Sequence, residues 1–129
     1  MKFLVDTQAF LRAARSPEEL SDRARVILAD RTAELLISIV VPWEIAIKSG
    51  IGKLKNVTEI LDRFEGLIGA ADYRMLETST HHVIQSGALP AHHKDPFDRL
   101  LIAQALDLHI SIISSDEIFD RYGVKRIWN

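Results

Sequence analysis

The sequence predicts an α/β domain: a central parallel sheet of about five short strands, flanked by helices on both faces. Short apolar runs alternate with helix-forming segments along the whole chain, the order that builds βαβ units and a parallel sheet. One of those runs, Leu35 to Val40, is nearly unbroken in apolar character, as a strand covered on both faces is. A length of 129 residues with 47% hydrophobic content suffices for one packed core, and no repeat, low-complexity tract or linker divides residues 1–129.

Lys2 to Val5 is a short strand, and Thr7 to Ala14 continues as a helix rich in Ala, Leu and Phe, with Asp6 at the junction. Ser16 to Glu19 is loop or first-turn chemistry, and Ser21 opens a helix to about Asp30 with Ala24, Ile27 and Leu28 on one face. After the strand Leu35 to Val40, Pro42 suits a first helical turn, and Trp43 to Lys48 runs on until Gly50 stops it. Ile51 to Asn56 is a turn-rich connection, Thr58 caps a helix to about Leu67, and Tyr73 to Leu76 is a short strand. A helical stretch near Thr80 to Ser86 leads into the polar loop Pro90 to Pro96. Pro96 starts the best helix, Phe97 to Leu108, and His109 to Ile113 is the next buried strand. Ser114, Ser115 and Asp116 begin a short helix through Arg121, Gly123 ends it, and Val124 to Trp128 makes the final strand.

With 16 basic and 18 acidic side chains the formal charge is -2, which argues against binding nucleic acid through bulk charge. Any such binding has to use a local basic rim. Cysteine is absent, so disulfides, thiolate metal sites and cysteine nucleophiles are excluded, and a cytoplasmic location fits. Asp6 interrupts the brief apolar start and Arg12 and Arg15 follow, which leaves no signal-peptide core. Leu35 to Trp43 is broken by Ser38 and Pro42 and falls far short of the roughly 20 residues of a membrane helix.

Four acids, Asp6, Glu44, Asp98 and Asp116, each sit where an apolar run gives way to a helix-forming segment. Ligand sites of open α/β sheets lie at such turns, beyond the carboxyl ends of the strands. Carboxylates brought together repel by about 4 kcal/mol per pair at ~4 Å and an effective dielectric near 20. A hard, oxygen-liganded cation such as Mg²⁺ or Mn²⁺ compensates that repulsion, and without it at least one carboxyl has a raised pKa. Each acid also has an ordinary structural explanation. Asp6 and Asp116 can cap the helices that follow them, Asp95 caps the helix at Pro96 with Asp98 reaching back as in a capping box, and Glu44 can pair with Lys48. Glu44 fits that explanation least well, because Glu is a poor N-cap and the site beside Trp43 is apolar.

The run from His92 to Ala105, HHKDPFDRLLIAQA, resembles the signature of PIN-domain ribonucleases of the VapC toxin type. So do Leu4-Val5-Asp6-Thr7, Trp43 to Lys48, Ser115-Asp116, Phe119 and Tyr122-Gly123-Val124, in order and spacing along the chain. Gln8 and Arg12 depart from that pattern, where His and an aromatic residue are frequent, and bear on substrate contacts. The resemblance implies a PIN-like domain and an Mg²⁺- or Mn²⁺-dependent endoribonuclease that cuts RNA with a metal-activated water. It further implies the toxin half of a toxin–antitoxin pair, with an antitoxin protein as partner, a homodimer and a toxin–antitoxin hetero-oligomer. The family's metal-site acids map onto Asp6, Glu44, Asp98 and Asp116. Asp6 and Asp98 are the first choices as direct ligands, while Glu44 and Asp116 bind the metal, hold its waters or complete a second ion site.

Thr7 and Ser115 are hydroxyl partners that either orient neighbouring carboxylates or satisfy helix-end amides. Lys48, Asp95 and Arg99 are candidate substrate or supporting contacts; Arg99 stands at a helix start, where a cation is unfavourable to the dipole. His92 and His93 read as loop residues that at most touch RNA, and Trp43, Phe97 and Trp128 as core or interface anchors. Two rival classes are an inactive PIN-fold module that only binds partners and an Mg²⁺-dependent phosphoryl-transfer domain of receiver type. The receiver pattern wants an adjacent acidic pair after the first strand and a Lys closing the Ile110 to Ile113 strand, and the chain has neither.

Overall fold

A computed structural model describes residues 1–129. Strands β1 (Lys2–Val5), β2 (Glu34–Ser38), β3 (Arg74–Leu76), β4 (Ser111–Ile113) and β5 (Arg126–Ile127) pair in parallel in the order β3-β2-β1-β4-β5. β1 lies at the centre, Leu4 opposite Leu36 on one side and Ile112 on the other, so Leu4 and Val5 are fully buried. Because β1 is followed by neighbours on opposite sides, the crevice between the carboxyl ends of β1 and β4 is the topological switch point of the sheet. This order is not the 2-1-3-4-5 of receiver-type domains, and the receiver alternative is corrected on that ground.

Side chains alternate across the pleat, and the core divides accordingly. Phe3, Val5, Leu35, Ile37, Ile113 and Ile127 face a layer built by α1 (Thr7–Arg15), α2 (Asp22–Ala29), α3 (Val40–Gly50), α4 (Thr58–Asp62) and α5 (Phe64–Ala70). Leu4, Leu36 and Ile112 face α7 (Pro96–Leu108), which carries Leu101, Ile102 and Ala105 into the core and is backed by α6 (Thr80–Ala88). No helix is long and apolar enough to cross a membrane. Ile39, Trp43, Ile47 and Ile51 leave an apolar row exposed along α3.

Several boundaries differ from the sequence reading, among them β5, which spans Arg126–Ile127 and not Val124 to Trp128. β2 ends at Ser38, and Val40 and Val41 open α3, because the Ser38 hydroxyl accepts from Val40 N (3.1 Å) and both valines are buried between layers. Pro42 is thus the third helical residue, where its missing N–H costs no intrahelical bond. Gly50 does not stop α3 but is its last residue, and Ile51 N closes the helix onto Ile47 O. The helix expected from Thr58 splits at Arg63 into α4 and α5, and Thr58 is not its cap: buried Val57 takes that position without a side-chain bond. His109 adopts the left-handed conformation (φ 54) that closes α7, so β4 starts only at Ser111. Asp98 lies at the start of α7 after a helix–helix connection, not after a strand.

His109 is exposed and holds a positive φ that glycine adopts without steric cost. His109→Gly is therefore expected to stabilise the protein by about 0.5–1 kcal/mol in equilibrium urea unfolding. A loss of stability would mean that the imidazole contributes more than the backbone conformation costs.

Candidate metal centre

Asp6 is set by the end of the central strand. Its N–H donates to Ile113 O (3.1 Å), which ties the β1–α1 junction to β4, and its side chain caps α1 by accepting from Ala9 N (2.8 Å). The other carboxylate oxygen, Oδ2, accepts from the Ser114 hydroxyl (2.5 Å), and that same hydroxyl accepts from Asp116 N (3.0 Å). The next residue, Thr7, donates its hydroxyl to Glu44 Oε1 (2.6 Å), so β1–α1 also fixes the acid on α3. Lys48, one turn further along α3, donates to Glu44 Oε2 and stands 3.7 Å from Asp95 Oδ2.

Asp95 caps α7 through Oδ1, accepting from Phe97 N (2.8 Å) and Asp98 N (3.1 Å). Asp98 does not reach back as a capping box requires; its Oδ2 lies 2.8 Å from His93 Nε2. With the carboxylate ionised, the ring N–H is the donor. His93, Asp95 and Asp98 place ligand atoms within 4.8 Å of one another.

Burial is the dominant electrostatic fact. It pushes the Asp6 carboxyl from 3.8 up to about 7, against the hydrogen bonds from Ser114 and Ala9 and with the added repulsion of Asp98 and Glu44. It pushes Asp98 up to about 6, against the His93 hydrogen bond and with repulsion from Asp95 and Glu44. Burial lowers Lys48, but the Glu44 hydrogen bond and the charges of Glu44, Asp95 and Asp98 outweigh it and leave the ammonium raised. Asp6, Glu44 and Asp98 thus feel one another's charge, as clustered acids do.

Asp116 is placed differently. It is exposed, its side chain caps the 3-10 turn Glu117–Tyr122 by accepting from Ile118 N (3.0 Å), and it joins Asp6 only through the Ser114 hydroxyl. The hydroxyl that orients a carboxylate is Ser114, not Ser115, which lies at a bend past β4 and whose Oγ accepts from Arg12 Nη1 (2.9 Å). Arg99 is not directed at the acids: its guanidinium donates to the main-chain carbonyls of Ser86, Leu89, Pro90 and His93. His93, expected to be a loop residue that at most touches RNA, instead bonds Asp98, and Ser114 is the residue to which the sequence reading gave no site role; for His93 the signal was its place in the run His92 to Ala105. Trp43 packs edge-on against Phe97 (4.8 Å between centroids), beside Lys48.

The donor set is carboxylate oxygen, which suits Mg²⁺ or Mn²⁺, with the one imidazole nearby bonded to Asp98. Asp6 and Asp98, whose carboxyls burial raises to about 7 and about 6, are groups whose ionised form a divalent cation would favour. The sign of the pH effect follows. Between about pH 4 and 7 the unfolded chain ionises Asp6 while the native state keeps its proton, so native stability falls as pH rises through that window. A shift of this size corresponds to about 4 kcal/mol at neutral pH. Asp6→Asn is expected to flatten the decline seen in metal-free unfolding curves between pH 4 and 7; an unchanged slope would place the proton elsewhere.

The sequence profile of the PIN domain family matches residues 3–125. No curated protein matches the chain in sequence. Among solved structures, a chain of VapBC2 from Rickettsia felis bound to a DNA fragment from their promoter superposes with a TM-score of 0.72 at 14% identity, covering 100% of both chains. A chain of DNA-bound VapBC from Salmonella typhimurium does so with a TM-score of 0.72 at 18% identity, covering 98% of this chain and 97% of that one. FitAcB from Neisseria gonorrhoeae gives 0.66 at 17% identity, covering 98% and 96%. These likenesses agree with the sheet order and layers described above, and with a profile match over nearly its whole length, the chain belongs to the PIN domain family.

Proposed function

We propose that the chain is an Mg²⁺- or Mn²⁺-dependent endoribonuclease of the VapC type, the toxin of a toxin–antitoxin pair. The observation that carries the reading is the pair of buried carboxyls, Asp6 and Asp98, each raised by burial and by the other acids of the cluster. Membership of the PIN family supports a nuclease, and the likeness to chains of VapBC and FitAcB assemblies supports an antitoxin protein as partner. The exposed row Ile39, Trp43, Ile47 and Ile51 supports association with another protein chain, an antitoxin or a second copy.

Asp6 and Asp98 would hold the ion, with Glu44 and Asp116 as further carboxylates of the site. When bound, Mg²⁺ or Mn²⁺ supplies the Lewis acidity that makes a water nucleophilic near neutral pH and offsets charge at phosphorus. The surrounding side chains keep the carboxylates aimed: the Ser114 hydroxyl and Ala9 N–H hold Asp6, Thr7 and Lys48 hold Glu44, and His93 holds Asp98. Lys48 also balances the negative charge of the cluster and is the nearest cation to meet an RNA phosphate. One observation favours a partner-binding module without catalysis: both Glu44 oxygens are already engaged, by Thr7 and by Lys48.

One assay separates the two readings. The purified chain is expected to cleave structured RNA only with Mg²⁺ or Mn²⁺ present, leaving 5′-phosphate and 3′-hydroxyl ends, as water attack requires. Asp98→Asn should lower that cleavage by at least ~100-fold while the metal-free fold is as stable or more so, because repulsion is relieved. Retained cleavage with a lower stability would make Asp98 a residue that serves only the first turn of α7. Ends carrying 2′,3′-cyclic phosphate would identify the ribose hydroxyl as the nucleophile and overturn the mechanism.

A further inference from the structure

Arg99 stands in the first turns of α7, where the helix dipole disfavours a cation. Its guanidinium points back across the α6–α7 connection. Nε donates to Ser86 O (3.1 Å), Nη2 to Leu89 O (2.8 Å), and Nη1 to Pro90 O (2.9 Å) and His93 O (3.0 Å). Ser86 and Leu89 lie at the C-terminal end of α6, whose last carbonyls lack intrahelical partners, so the charge that α7 tolerates poorly is one that α6 needs. Tyr122 closes the same knot, its hydroxyl donating to Pro90 O (2.8 Å).

The connection so held, residues 89–95, has no helix or strand of its own. It nevertheless delivers the His93 ring to Asp98 and the Asp95 carboxylate to the start of α7. We propose that Arg99 is a positioning residue of the cluster: by gripping the carbonyls of Leu89, Pro90 and His93 it fixes the backbone from which His93 reaches Asp98, and with it the orientation of the Asp98 carboxylate. Arginine is required because its planar fork serves several fixed acceptors at once, whereas a lysine ammonium is a single point. The backbone part of this inference stands on geometry alone; its functional consequence rests on the reading of Asp98 as a metal ligand.

The test compares wild type with Arg99→Lys, which keeps the charge and loses the fork. In the metal-free proteins, long-range ¹H–¹⁵N spectra of the His93 ring at fixed pH and amide exchange over residues 89–95 are recorded. Mn²⁺ uptake and RNA cleavage follow. Arg99→Lys is expected to lose the hydrogen-bonded His93 ring signature, to exchange those amides at least ~10-fold faster, and to bind Mn²⁺ ~10–100-fold more weakly. KM for RNA should stay within about twofold, and Arg99→Lys should add nothing further in a His93→Ala background. If Arg99→Lys does not fold, Tyr122→Phe, which removes the hydroxyl on Pro90 and leaves the guanidinium, is expected to move the same ring signal and amides in the same direction. An unchanged His93 ring and unchanged exchange would overturn the proposal, as would a raised KM with unaltered Mn²⁺ uptake, the mark of a phosphate contact. Absence of Mn²⁺ uptake in the wild type would defeat the nuclease reading, while the metal-free spectra would still decide the role of Arg99.

Discussion

The rest of the site answers to the cost of holding acidic side chains out of water. Asp6 and Glu44 are almost wholly buried and Asp98 largely so, and like charges in that setting oppose folding unless protons, hydrogen bonds or cations offset them. Each device is present. Asp6 has a hydroxyl and a main-chain amide, Glu44 a hydroxyl and an ammonium, and Asp98 an imidazole. Even so, Asp6 and Asp98 stay raised to about 7 and about 6, which means that the supporting bonds are outweighed by burial.

The sheet explains why the acids meet. A parallel sheet places every strand's carboxyl end on one edge, and the switch between β1 and β4 opens a crevice there. Asp6 and Ser114 come from the two sides of that crevice, Glu44 from the helix that follows β2, and Asp98 from the far layer through α7. The cluster is therefore joined by segments distant in sequence, with Thr7 to Glu44 and Ser114 to Asp6 as the bonds that cross between them. Thr7, Ala9 and Lys48 sit on α1 and α3, whose packing is fixed by the core, whereas Ser114 lies just past β4 and His93 on the irregular connection before α7.

Much of this was legible in the sequence because it rests on local chemistry. The strand Lys2–Val5 with Asp6 as cap, and the Asp95-Pro96 start of α7, follow from apolar runs meeting strong helix signals. The expectation that crowded acids without metal include a raised carboxyl also agrees with Asp6 and Asp98. What escaped was set by tertiary structure. Val40 read as the end of a strand because it is β-branched, yet layer packing makes it the first residue of α3. The choice between Ser114 and Ser115 depends on how the chain bends after β4, and the imidazole of His93 and the fork of Arg99 depend on how an irregular connection folds back on α7. Periodicity carries no information about either.

The central claim is that these buried carboxylates form a binding site for a divalent cation. Equilibrium unfolding of the wild type and of an Asp6→Asn/Asp98→Asn double variant, each titrated with Mn²⁺ at pH 7, tests it most directly. Binding to the native state alone stabilises by about 2.7 kcal/mol at 100 times the dissociation constant, so the wild type should gain stability steadily with Mn²⁺ and the double variant should not. Equal curves for the two proteins, or no gain in the wild type, would contradict the account.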